Sequence, residues 1–97
     1  MVIWSSPARD DLKAIHDYIA LDSGFYAERV IEKIIERTGI LELFPDSGRI
    51  VPEIDDNVTR EIFVYSYRII YEVINNAVYI LTVIHSARDL SKIEIRK

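Results

Sequence analysis

The sequence predicts an α+β domain with the element order β-α-α-β-β-β: an antiparallel sheet carrying an N-terminal helical hairpin on one face. Three observations carry this. Tyr67–Ile74 and Ala77–His85 are runs of β-branched and aromatic residues separated by Asn75-Asn76, and two Asn residues between strands suit a type I′ turn, which needs φ > 0 at both central positions. Residues 6–43 hold two stripes of apolar residues at helical spacing, broken once by Asp22-Ser23-Gly24. The chain has 97 residues, 49% of them hydrophobic, enough for the core of one domain spanning 1–97.

In chain order, residues 1–5 read as a short strand. Ser6-Pro7 reads as a helix start, with Ser6 as N-cap, Pro7 at the first helical position and Asp10 and Asp11 in the favourable first turn. Ala8, Leu12, Ile15 and Ile19 form its apolar stripe, and it ends near Leu21. A second helix spans about 25–43, with Ala27, Val30, Ile31, Ile34, Ile35, Thr38 and Leu41 inward. Gly39 within it marks a close approach or an early end, and Pro45 stops it. A short turn joins the helices, so they pack antiparallel. Residues 45–58 read as a loop, longer than an ordinary connection and so a candidate for function.

Thr59–Val64 is the next strand. Its connection through Tyr65-Ser66 has no Gly or Asn, so no register follows and the face of Arg60 stays open. The Asn-Asn turn does set one: Ile74 opposite Ala77, Glu72 opposite Tyr79, Ile70 opposite Leu81, Arg68 opposite Val83. Alternation then puts Arg68, Ile70, Glu72, Tyr79, Leu81, Val83 and His85 on one face. Tyr67, Ile69, Tyr71, Val73, Val78, Ile80, Thr82 and Ile84 take the other, apolar face and meet the helices. Residues 91–97 form a charged tail.

Composition narrows the function classes. The formal net charge is −4, made of −3 in residues 1–44 and −1 in 45–97. Neither half has surplus Lys or Arg, which argues against gripping nucleic acid through many phosphates. Without cysteine there are neither disulfides nor thiolate metal sites. Neither a leader nor a membrane-length apolar run is legible, so a cytoplasmic protein is expected, with no cofactor or metal.

No phosphate-cradling glycine loop, HExxH or GxSxG is present. His16 lies on the predicted helix surface and reads as incidental. His85 closes the last strand, either capping backbone or serving as a general acid. Arg68 stands mid-strand among apolar neighbours, which requires a partner: either an ion pair with Glu72 or Glu53, or an anion to clamp. Glu53, after Pro52 in the long loop, is a surface acid or a base. Arg60, Arg68 and Arg88 can converge, although each alone suits a salt bridge. Tyr65, Tyr67, Tyr71 and Tyr79 read as core.

An ordered set of residues resembles a known superfamily over almost the whole chain. It comprises Trp4-Ser5, Ala8, Asp11-Leu12, Ile15 and Tyr18-Ile19; then Pro45, Gly48-Arg49, Glu53 and Arg60-Glu61; then Tyr67-Arg68-Ile69-Ile70-Tyr71 and residues 83–89. Together they look like the RelE/ParE toxins of type II toxin–antitoxin modules. The resemblance implies the fold above and a toxin neutralised by a cognate antitoxin. ParE-like members poison DNA gyrase, and such modules serve plasmid stabilisation. RelE-like members cut mRNA on the ribosome, which would give catalytic roles to Arg68, His85 and Glu53. Arg49, Arg60 and Arg88 are the candidates for partner binding. The acidic balance, the lack of a Lys-rich helix face and the absence of an aromatic after His85 favour the ParE-like reading. The alternatives are the ribosome-dependent nuclease and a non-toxic relic that still binds its antitoxin.

Overall fold

The structure, a computed structural model, describes residues 1–87. Its elements are β1 (Val2–Trp4), α1 (Ser6–Ala20), α2 (Gly24–Gly39) with a 3₁₀ turn (Ile40–Glu42), β2 (Arg49–Ile50), β3 (Thr59–Val64), β4 (Tyr67–Ile74) and β5 (Ala77–His85). The sheet order is β1-β5-β4-β3-β2. Strands β2 to β5 are antiparallel, while β1 runs parallel to β5 at the other edge. The sheet is therefore mixed, and the α+β architecture with a helical hairpin on one face is as expected.

Both helices are capped by serine. The Ser5 side chain, one residue earlier than expected, accepts from the Ala8 amide at 3.1 Å, and Ser23 caps α2 through the Tyr26 amide at 3.0 Å. With Ser6 already helical, Asp10 and Asp11 fall in the second turn and do not serve the helix dipole. At Gly39, an added Cβ would meet nothing within 4 Å. The glycine marks where α2 tightens into its 3₁₀ turn, not a close approach.

The long connection is more structured than its sequence suggests. Arg49 and Ile50 form a two-residue edge strand against Glu61 and Arg60. At the β3–β4 turn Val64 pairs with Tyr67, so the connection is a two-residue turn with Tyr65 at φ 53°. Asn75 and Asn76, at φ 51° and 65°, form the expected I′-type turn.

The β4–β5 register begins as expected, with Ile74 opposite Ala77 and Glu72 opposite Tyr79. Between Tyr71↔Ile80 and Ile70↔Thr82 it slips by one residue. Leu81 is the extra residue of a β-bulge, and Arg68 faces Ile84 rather than Val83. The start of α1 satisfies the bulged backbone. Ser5 donates its amide to Ile80 O and its hydroxyl to Leu81 O, both at 3.1 Å. The Asp11 carboxylate accepts the Thr82 hydroxyl at 2.6 Å and the Val83 amide at 3.0 Å.

The slip exchanges faces at the end of β5. Val83 packs in the helix-side core with Ala8, Val30, Ile34, Leu41, Ile69, Tyr71, Val78 and Ile80. Ile84 joins a smaller cluster on the other face with Val51, Ile70 and Leu81. Within the expected inward stripe of α2, Ile35 is instead about half exposed.

Candidate functional site

On the face away from the helices, four charged side chains meet. Arg68, nearly buried, donates from Nη1 to Glu53 Oε2 at 2.8 Å and from Nη2 to Glu53 Oε1 at 3.0 Å. Its Nε donates to Glu61 Oε1 at 2.7 Å, and Nη2 approaches the same oxygen at 2.6 Å. The other Glu61 oxygen accepts Arg49 Nε at 2.6 Å. Two cations thus balance two carboxylates, and the buried charges are paired as burial demands. The hydrogen bond to Glu53 does most to hold the Arg68 pKa above the ordinary guanidinium value, against the opposing effect of burial. Arg68 therefore takes the loop-acid pairing with Glu53 foreseen for it. Glu61, its second partner, was missed; an acid mid-strand in a β-branched run was the available signal.

This cluster fixes the long loop to the sheet, and a second set of bonds does the same on the helix side. Gly48 donates its amide to Tyr71 Oη at 2.9 Å, and the Tyr71 hydroxyl donates to Pro45 O at 2.8 Å. Arg60 lies opposite Tyr71, which settles its face, and donates to Gly48 O at 2.8 Å. Its guanidinium also stands 3.7 Å from Asp46. Arg60 is thereby committed to the loop. Arg49 is mostly exposed and stacks over the Phe63 ring, 5.1 Å from its centroid. Arg88 lies outside the described residues.

His85 does not join Arg68. It lies opposite Tyr67, its ring edge-on to the Tyr67 ring at 5.8 Å, on the helix side of the sheet. The expectation that Arg68 and His85 share a face is thus overturned by the bulge, because one inserted residue turns every later side chain of the strand over. His85 Nδ1 accepts the Ala87 amide at 3.1 Å, so the neutral ring carries its proton on Nε2. Beside it opens a groove of about 410 Å³ lined by Asp11, Ile15, Tyr18, Tyr67, Val83 and His85, among others. Burial raises the Tyr67 pKa, with smaller contributions from Tyr26 and Tyr18. Of the four tyrosines read as core, Tyr71 is fully buried, Tyr67 and Tyr79 half-buried and Tyr65 exposed.

His16 lies between its neighbour Asp17, 3.2 Å away, and Glu28 of α2, 3.4 Å away, so it links the two helices. No group of three or more His, Cys, Asp or Glu among the described residues is placed to hold a metal ion. Among the same residues, no helix is long and apolar enough to cross a membrane.

A family model described as "ParE toxin of type II toxin-antitoxin system, parDE" matches residues 2–90. Among solved structures, the chain is similar to one from the chromosomal ParDE TA system of P. aeruginosa. The TM-score is 0.72 and the identity 22%, over 87% of this chain and 92% of the other. No curated protein matches.

Proposed function

This chain belongs to the ParE toxin family of type II toxin–antitoxin systems, and on that premise we propose that it arrests growth by binding DNA gyrase and that a cognate antitoxin neutralises it. The observation that carries the choice of mechanism is the state of Arg68. All three of its guanidinium nitrogens are engaged by Glu53 and Glu61. To clamp a scissile phosphate, Arg68 would have to give up those carboxylates, and a phosphate would enter beside two anions. Glu53, the candidate base of the nuclease reading, has both oxygens on Arg68. His85, the candidate acid, lies behind the sheet. A general acid and base need to reach one substrate from one side, and these two do not.

The net charge of −4 supports the same reading, since a ribosome-docking nuclease meets a dense array of phosphates. A protein target has no such requirement. Arg49, exposed beside Phe63, remains the partner-facing arginine of the described residues proposed from the sequence. Arg60 contributes to that surface indirectly, by holding the loop that carries Arg49.

The test is a supercoiling assay with purified gyrase, run beside primer extension on ribosome-bound mRNA. Inhibited supercoiling with intact mRNA, reversed by the antitoxin encoded beside the toxin gene, is the expected result. A chain that binds the antitoxin yet never slows growth would establish the relic instead.

A further inference from the structure

The two hairpin turns of the sheet are filled by different chemistry. Asn75 and Asn76 stand at φ 51° and 65°, where a short polar side chain is tolerated because it hydrogen-bonds locally. The β3–β4 turn also has two residues, since Val64 pairs with Tyr67. Of these only Tyr65 has positive φ, at 53°. Positive φ at the first central position alone is the II′ pattern, and that position is ordinarily glycine. A tyrosine there sets its Cβ against the backbone and has no short polar group to compensate.

Nothing among the described residues offsets this strain. Tyr65 is 58% exposed and makes no hydrogen bond or ring contact with them. Tyr71, by contrast, is fully buried and donates its hydroxyl to Pro45 O. The turn itself is held in place, with Ser86 donating its amide to Ser66 O at 2.7 Å. A strained residue that neither packs nor bonds within the fold points to a contact outside it.

The neighbours of Tyr65 select that contact. Val64 lies in the helix-side core, while Phe63 before it is 41% exposed beside the stacked Arg49 guanidinium. Tyr65 therefore extends the exposed Arg49–Phe63 surface proposed above to face the target. Rings that stack on nucleic acid work beside cations that hold the phosphates. Residues 61–67 hold no cation but Arg68's neighbours, with no Lys or Arg among them, and Arg49 and Arg68 are balanced by Glu61 and Glu53. A protein surface with an apolar recess is the better match, and Tyr is a residue type in which interface binding energy concentrates. We propose that the Tyr65 ring is an anchor by which the toxin engages its protein target, and that the left-handed backbone is kept because it holds the ring outward. This rests on the reading of the chain as a toxin with a protein target.

The experiment compares wild type with Tyr65→Gly and Tyr65→Phe. Each is induced without antitoxin in a bacterial host, ribosome-bound mRNA is followed by primer extension, and each purified chain is melted by circular dichroism. Tyr65→Gly removes the strain and the ring together. It should melt no lower than wild type, yet need at least about tenfold more inducer for growth arrest. Tyr65→Phe keeps the ring and should arrest growth like wild type. Undiminished arrest by Tyr65→Gly overturns the proposal, and so does loss of arrest by Tyr65→Phe. A lower melting temperature in Tyr65→Gly would make the ring a support of the fold and overturn it too. Arrest carried by mRNA cleavage, and lost with it in Tyr65→Gly, would give the ring to nucleic acid, again against the proposal. A wild-type chain that fails to arrest growth overturns the toxin reading itself, and this inference with it.

Discussion

The Asp11 carboxylate accepts the Val83 amide at 3.0 Å, joining the second turn of α1 to β5 just after its bulge. The same oxygen holds the Thr82 hydroxyl at 2.6 Å. This bond sits where the register slips, and the slip carries Ile84 to the open face and His85 to the helix side. A contact between a helix and a bulge thus decides which residues can share a site.

Asp11→Ala should destabilise the fold by about 1–3 kcal/mol, because it strands a part-buried amide and hydroxyl. Asp11→Asn, which keeps one acceptor oxygen, should cost less. Urea denaturation gives the order, and faster hydrogen exchange at Val83 locates the effect.

Glu61 has an inaccessible side chain and serves two arginines. Glu61→Gln should therefore cost about 3–5 kcal/mol, the range for breaking a buried pair from one side. Arg49→Ala should cost no more than about 1 kcal/mol, since that guanidinium is mostly solvated. Equal losses in the two variants, by denaturation, would contradict the placement of the charge balance at Arg68.

Gly48 is required by proximity. A Cβ there would lie 2.5 Å from Tyr71 Oη and 2.6 Å from Glu61 O. Gly48→Ala should destabilise by about 1–3 kcal/mol through overpacking and loosen the loop. Limited proteolysis within residues 45–58 would show faster cleavage than in wild type.

The His16 pKa is raised above its ordinary value of 6.5, first by the hydrogen bond to Asp17, with Glu28 adding to it against desolvation. A raised pKa means the folded chain holds the proton more tightly, so the contribution to stability is full below the unfolded value. It is lost as pH rises through the folded one. The Asp17 pKa is lowered, first by Lys13, so its contribution is present above its unfolded value and fades as pH falls through the depressed one. Melting temperatures of wild type and His16→Gln should differ most in mild acid and converge as pH rises past the His16 titration.

Much of this was legible in local chemistry. The Asn75-Asn76 turn, the pair of helices and the β-rich half follow from backbone preferences that act within a few residues, whereas the first helix is capped by Ser5 rather than the expected Ser6. The bulge at Leu81 does not, because the groups that satisfy its backbone are remote: Asp11 lies 71 and 72 positions from its donors in sequence, and Ser5 lies 76 from Leu81. The edge strand at Arg49 and Ile50 was hidden for the same reason: two residues carry no periodicity, and their pairing depends on Glu61 and Arg60. At the candidate site, the need of Arg68 for an acid was readable from its burial among apolar neighbours. That two acids answer it, leaving no guanidinium nitrogen of Arg68 without a carboxylate partner, required the fold.

The most direct test of a protein-binding toxin is gyrase supercoiling measured with the purified chain while ribosome-bound mRNA is followed by primer extension. The expected result is dose-dependent loss of supercoiling, restored by the antitoxin, with uncut mRNA. Cleavage of mRNA in the ribosomal A site that Arg68→Ala abolishes, with gyrase untouched, would contradict it.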